Sequence, residues 1–221
     1  MHNGGYMKFK TVSTLVLTFL VSMTIFAAEE LKSIALPKVN MKNVSLSDAL
    51  TKRMSTRAFD SNKDISLQDL SNILWAAAGI NRPATGGRTY PSAKGYQSVS
   101  VYVVRKDGIY RYDHVKHSLE PVVAGDFRAE TGAQSFAATA PVNLIYVSDI
   151  SKFDGSQAVK MEYAAFDTGH CSENVYLYCA AANLGTVIRA SVNADALGKR
   201  LKLGKNNVVI AGQSIGYFAK P

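Results

Sequence analysis

The segment from Gln157 to Ala182 constrains this chain more than any other. It is the longest stretch with helical spacing, it is rich in alanine, and its middle holds a glycine, Gly169. Small residues lower the bulk of a helix, so its faces permit close approach of a second helix or of a cofactor; a tightly packed core helix fits the same pattern. Asn183 stands where the helix should stop, and asparagine tolerates the left-handed conformation that a C-cap needs.

Those other elements are of both kinds. Ser45-x-x-Asp48 is a capping box that opens a helix from Leu46 to about Met54, and Ser66-x-x-Asp69 opens another over Leu67–Ala78. The second has Leu67, Leu70, Ile73, Leu74 and Ala77 on one face and is ended by Gly79. Residues 81–96 read as a structured loop. Ser98–Arg105 alternates and is β-branched, Lys106-Asp107-Gly108 is a hairpin turn, and Ile109–Tyr112 returns. A helix is expected over Ala124–Thr139, a buried strand over Pro141–Ser148, an extended segment over Thr186–Ser191 and a last strand over Asn207–Phe218. Helices and strands alternate without regular βαβ units, which favours an α+β fold over a Rossmann fold. No G-x-G-x-x-G occurs.

Composition narrows the function. At 221 residues and 47% hydrophobic, the chain suits one globular domain. The net charge of +8 is scattered, with no run of five or six basic residues, so nucleic acid is not an expected partner, and an anionic cofactor or substrate suits the excess. At the N-terminus, Lys8 and Lys10 precede an apolar stretch from Val12 to Ala28, followed by Glu29 and Glu30. Residues 1–28 read as a signal peptide, with an uncleaved anchor as the alternative, and imply export to a periplasm or beyond. Residues 29–43 form an extended lead-in, and the domain proper runs from 44 to 221. Cys171 and Cys179, on one helix about 12 Å apart, are too distant for a disulfide. Four scattered histidines give no metal-site spacing.

Three segments can carry chemistry. Lys52-Arg53-Met54-Ser55-Thr56-Arg57-Ala58-Phe59 places two arginines four apart with a hydroxyl between them, a set that can grip one anionic group; a solvated basic helix end is the plainer reading. Arg88-Thr89-Tyr90-Pro91-Ser92-Ala93 combines small residues and proline before a strand, which lets a flat ring approach the backbone; a plain surface loop fits as well. The third is the long helix itself, from Asp167 and His170 on to Leu184-Gly185-Thr186-Val187.

In this order and spacing the segments resemble the nitroreductase family, especially its short branch with the thiazole- and oxazole-forming dehydrogenases. The family's Arg-Arg-Ser-x-Arg-x-Phe start is similar to Arg53–Phe59, and its Leu-Trp-Ala-Ala-x-Gly to Leu74–Gly79. Arg88–Ala93, Ala140-Pro141 and Gly169–Thr186 complete the likeness, which covers residues 44–221. Glu173 replaces the usual glutamine before Asn174, Asn183 replaces a glycine, and Met54 stands where a second arginine or a small residue is usual. The resemblance implies a nitroreductase-like fold, a mixed central sheet flanked by helices with a long central helix. It also implies a homodimer with FMN at the subunit interface. Arg53, Met54, Ser55 and Arg57 would hold the phosphate and ribityl chain. Pro91, Ser92 and Ala93 would contact the flavin ring from the partner subunit, and Val187, Ile188, Arg189 and Ala190 would line its other side. Lys220 would be the C-terminal cation on the phosphate.

Such a protein is expected to be an FMN-dependent oxidoreductase, moving hydride through the flavin between a small-molecule donor and an acceptor such as a quinone or nitroaromatic, with no protein nucleophile. A substrate dehydrogenase like the azole-forming relatives and a flavin-binding module without turnover are the alternatives. Arg189 facing inward would stabilise charge on the reduced ring; facing outward it would be solvated.

Overall fold

The computed structural model describes residues 1–2 and 30–219; the signal-peptide reading and Lys220 fall outside them. Along the chain come β1 (Ile34–Ala35), α1 (Leu46–Lys52), α2 (Leu67–Ala78), β2 (Ile80–Arg82), β3 (Gly87–Arg88), β4 (Val99–Val104) and β5 (Gly108–Asp113). Then follow β6 (Ser118–Ala124), α3 (Phe136–Thr139), β7 (Val142–Asp149), α4 (Gln157–Ala182), β8 (Gly185–Arg189), α5 (Ala194–Arg200) and β9 (Asn207–Gly216). Seven strands form one sheet in the order β1-β6-β5-β4-β7-β9-β8. Neighbouring strands run antiparallel. At the β8 edge Ser55 pairs in parallel with Thr186, which makes the sheet mixed, and Phe59 pairs antiparallel with Phe218. The architecture is α+β, as the element pattern implies.

The sheet is buried on both sides. Along β7 the side chains alternate, so Leu144 and Tyr146 join Leu70, Ile73, Leu74, Val101 and Val175 beneath α2 and α4. Ile145 and Val147 join Tyr102, Ile109 and Leu197 beneath α5. Removing each such aliphatic side chain from water contributes about 1.5–3 kcal/mol. α4 meets the first layer through Cys171, Val175 and Cys179, all fully buried. This is where the low bulk of its sequence is used. The two cysteines are free, and burial pushes both thiols up.

The caps form as the sequence predicts. Ser45 accepts from the Asp48 amide at 3.0 Å and donates to its carboxylate, and Ser66 does the same with Asp69. Asn183 closes α4 in the left-handed conformation, φ 57° and ψ 44°. Gly79 ends α2 for another reason. Its backbone is extended, and a β-carbon there would run into the Trp75 side chain.

The helix expected over Ala124–Thr139 does not form. β6 continues to Ala124, a helical turn spans Arg128–Thr131, and only the short α3 follows. Gly125 takes φ 120°, and Asp126 accepts from both the backbone and the guanidinium of Arg128. Local side-chain bonding and glycine outcompete the helix. Strand β6 itself escapes a reading of the pattern because Pro121 interrupts it, beside a register shift against β5. The loop at 81–96 is structured, containing the β2–β3 hairpin and a helical turn at Ala93–Gly95.

Candidate functional site

After α1 the chain folds back along β8. The Thr56 amide donates to the Thr186 carbonyl at 2.9 Å. Gly185 permits this approach, since a β-carbon there would lie 2.9 Å from the Thr56 methyl. Tyr176 reaches the same place from α4. Its hydroxyl lies 2.9 Å from Ser55 Oγ and accepts from the Ile188 amide at 3.0 Å. The Arg53 guanidinium sits over the Tyr176 ring, 5.5 Å from its centre. Arg53, Ser55 and Ile188 thus meet around one side chain that the sequence reading left among ordinary helix residues.

The cations here are unspent. Arg53 is half-buried and Arg57 exposed, and among the described residues neither forms an ion pair. Alongside them a groove of about 450 Å³ is lined by Lys52, Met54, Tyr176, Leu184, Thr186 and Phe218. Ala190 is exposed just past the end of β8.

Pro91, Ser92 and Ala93 lie elsewhere on α4. Asp167, 1% exposed, accepts from the Ala93 amide at 2.9 Å and from Ser98 Oγ at 3.3 Å. His170 Nδ1 lies 3.2 Å from the Pro91 carbonyl, and Ser92 Oγ accepts from the Gln97 amide. Burial raises the Asp167 carboxyl above its ordinary range, with the bonds from Ala93 and Ser98 pulling back. These anchors hold a loop in which Lys94 and Gln97 adopt left-handed φ of 50° and 49°. From Asp167 and His170 to Tyr176 is about 9–14 Å along the helix. The structure therefore joins Arg53 and Ser55 to β8 and sets Pro91–Ala93 about two turns away. Asp167 leaves one trace in the sequence: a lone carboxylate between Ala164 and Cys171 on the buried face of α4.

Arg189 takes neither of the two orientations expected of it. Its guanidinium is buried on the side of β8 away from Tyr176, beside Phe136. It donates to the Thr131 carbonyl at 2.7 Å, Asn143 Oδ1 at 2.9 Å and Ser214 Oγ at 3.1 Å. Burial lowers its pKa. Val187 shares that side, packed with Phe59 and Ala140. Arg189 clamps β8 from behind, so only the backbone of Val187 and Arg189 reaches the exposed strand edge, while the Ile188 side chain faces α4.

The family model described as Nitroreductase family matches residues 50–217. A nitroreductase-type protein of Methanocaldococcus jannaschii is 32% identical over 175 residues, 74% of this chain and 87% of that one. The solved structure of a nitroreductase-type protein from Ralstonia eutropha is 38% identical, with a TM-score of 0.81 over 88% of this chain and 92% of the other. A chain of the E. coli microcin synthetase McbBCD complex, solved with truncated pro-MccB17 bound, shares the fold at 18% identity, TM-score 0.65, covering 94% of this chain and 85% of that one. The sheet order, the long α4 and the match over nearly the whole described domain agree: the chain belongs to the nitroreductase family.

Proposed function

We propose that this protein is an FMN-dependent oxidoreductase that works as a homodimer and passes electrons from a small-molecule donor to a small organic acceptor, such as a quinone or a nitroaromatic. The observation that carries this reading is the junction at Tyr176, where Arg53 and Ser55 meet β8 and, among the described residues, two arginine side chains stand without acidic partners. Such a donor set suits the phosphate of FMN. Guanidinium forks match phosphate oxygens, and no carboxylate competes for them. When bound, FMN supplies the hydride chemistry. In this reading Arg53 and Arg57 hold the phosphate, with Lys220 as a further cation. Ser55 and Met54 border the ribityl chain, and the edge of β8 from Val187 to Ala190 lines the ring. Arg189 keeps that edge in place rather than facing the ring.

The same geometry suits a dimer. Pro91–Ala93 stands apart from Arg53 within one chain, so a partner's loop would complete each site. The surface offers apolar residues to bury: Leu46 and Leu50 on α1 and Met54 just past it are 65%, 55% and 56% exposed, and Phe166 on α4 is 64% exposed. We further propose that residues 1–28 direct export, and that the electron donor is one available outside the cytoplasm.

The first test is an absorbance spectrum of the full chain after addition of FMN and removal of excess by gel filtration. Flavin bands co-eluting with a dimer-sized peak are expected, and their loss in the Arg53→Gln, Arg57→Gln double variant. A colourless wild-type peak overturns the reading. Turnover with added quinone or nitroaromatic then separates an enzyme from a module that only binds flavin.

A further inference from the structure

The middle of the sheet is forked. β4 and β5 pair only at Tyr102–Arg111, Val103–Tyr110 and Val104–Ile109. Beyond Tyr102, β4 stays with β7 as far as Val99–Ser148. Beyond Arg111, β5 stays with β6 as far as Asp113–Ser118. The two strands diverge, and a groove of about 400 Å³ opens where their ladder should continue. Backbone groups of both strands are left facing it, and buried backbone polar groups need partners.

The groove is cationic. Arg88 lines it, although that residue is only 5% exposed. Its Nε donates to the Ala78 carbonyl at 2.6 Å. Among the described residues its two terminal nitrogens have no hydrogen-bond partner, and it has no ion pair. The guanidinium carbon stands 5.7 Å from the centre of the Tyr90 ring, and Arg88 is among the residues that line the groove. Arg111, His114 and Lys152 stand on the rim. Arg111 makes no ion pair among the described residues, and Lys152 donates to the Tyr96 and Gln97 carbonyls. The acids facing the groove are otherwise engaged: Asp113 accepts from the amides of Val115 and Lys116, and Asp149 from Ser151. A buried guanidinium that lines a cationic groove favours an anion beside it.

We propose that the fork between β4 and β5 binds a compact anion, a phosphate or carboxylate group, seated on Arg88 and closed over by Arg111, His114 and Lys152. The site is separate from the Tyr176 junction and does not rest on the flavin reading. His114 provides a reporter. Burial, then the neighbouring Arg88, holds its pKa below the ordinary histidine value, with Arg111 and Lys152 acting the same way and Asp113 against them. An anion among these cations reverses part of that shift.

The test is calorimetric titration of the full chain with pyrophosphate and, separately, with citrate, alongside NMR titration of His114. Saturable binding of one probe with a raised His114 pKa is expected, and the preferred probe tells phosphate from carboxylate. Arg111→Gln, at an exposed position on the rim, is expected to weaken binding about fivefold or more. Arg88→Lys, which keeps the charge but loses the fork, should weaken it further; should that variant not fold, the rim variant and the His114 shift decide. Absence of binding by both probes, or binding indifferent to Arg111→Gln with His114 unmoved, overturns the proposal.

Discussion

Removing one oxygen atom from Tyr176 is the sharpest way to probe the candidate site. Tyr176→Phe leaves the buried ring under Arg53 but deletes the hydroxyl shared by Ser55 and the Ile188 amide. Each such bond is worth about 0.5–1.5 kcal/mol net. We expect a modest fall in Tm and a weakening of FMN retention by about tenfold, read by fluorescence titration; unchanged FMN affinity would detach the tyrosine from the site. Gly132 offers a second probe. Its backbone is extended, so any residue can adopt it, but a β-carbon would collide with the Arg189 guanidinium. Gly132→Ala should cost about 1–3 kcal/mol in denaturant unfolding. Arg53 and Ser55 were visible in the sequence because their signal is local, a hydroxyl between arginines. Tyr176 was not, because its role exists only once folding brings Ser55, 121 positions away, to its hydroxyl. The place of Arg189 was hidden for the same reason: its acceptors lie on the Arg128–Thr131 turn, β7 and β9.

At the scale of elements, one imidazole joins the lead-in segment to α2 and β5, beside the pairing of β1 with β6. His117 meets Ser71 Oγ at 2.7 Å and the Pro37 carbonyl at 3.2 Å through Nε2, and the Tyr112 hydroxyl at 2.9 Å through Nδ1. Burial lowers its pKa, partly opposed by the Pro37 contact. His114 is lowered as well. The sign follows. Between the folded pKa and the unfolded value of about 6.5, the unfolded chain holds more protons, so stability falls as pH drops through that window. Thermal melts should therefore show Tm declining below about pH 6.5, with a shallower decline in His117→Asn, which also suits the left-handed φ of 52° at that position. Equal slopes for the two proteins would remove His117 from the account. The helices capped by serine were legible to the residue because capping is a matter of neighbours three apart. The false helix at Ala124–Thr139 shows the limit. Its residues have no strong periodicity of their own, and what decides the segment is a β5–β6 ladder and an Arg189 clamp that local pattern cannot report.

For the molecule as a whole, the α+β class was readable from the mix of helix and strand patterns and the family from five short motifs that keep their order along the chain, whereas the proposed division of the site between two copies would be a property of the assembled fold. A charge at Phe166, the most exposed aromatic residue on α4, should weaken any assembly that buries it. Phe166→Glu is expected to shift sedimentation from dimer to monomer and to release FMN in parallel, because each ring would lose its partner's Pro91–Ala93 loop. A monomeric variant that still holds flavin would show that one chain suffices. The long helix carries one more consequence. Asp167 and His170 fasten one loop to it, Tyr176 fastens another segment, and nothing but the intervening turns sets the spacing and the angle between them. α4 is a gauge block. Substitutions on its exposed face leave the gauge reading true, but a single inserted residue between His170 and Tyr176 would advance the far end by about 1.5 Å and swing it by about 100°. For a protein of this design, the length of that helix is less negotiable than its composition.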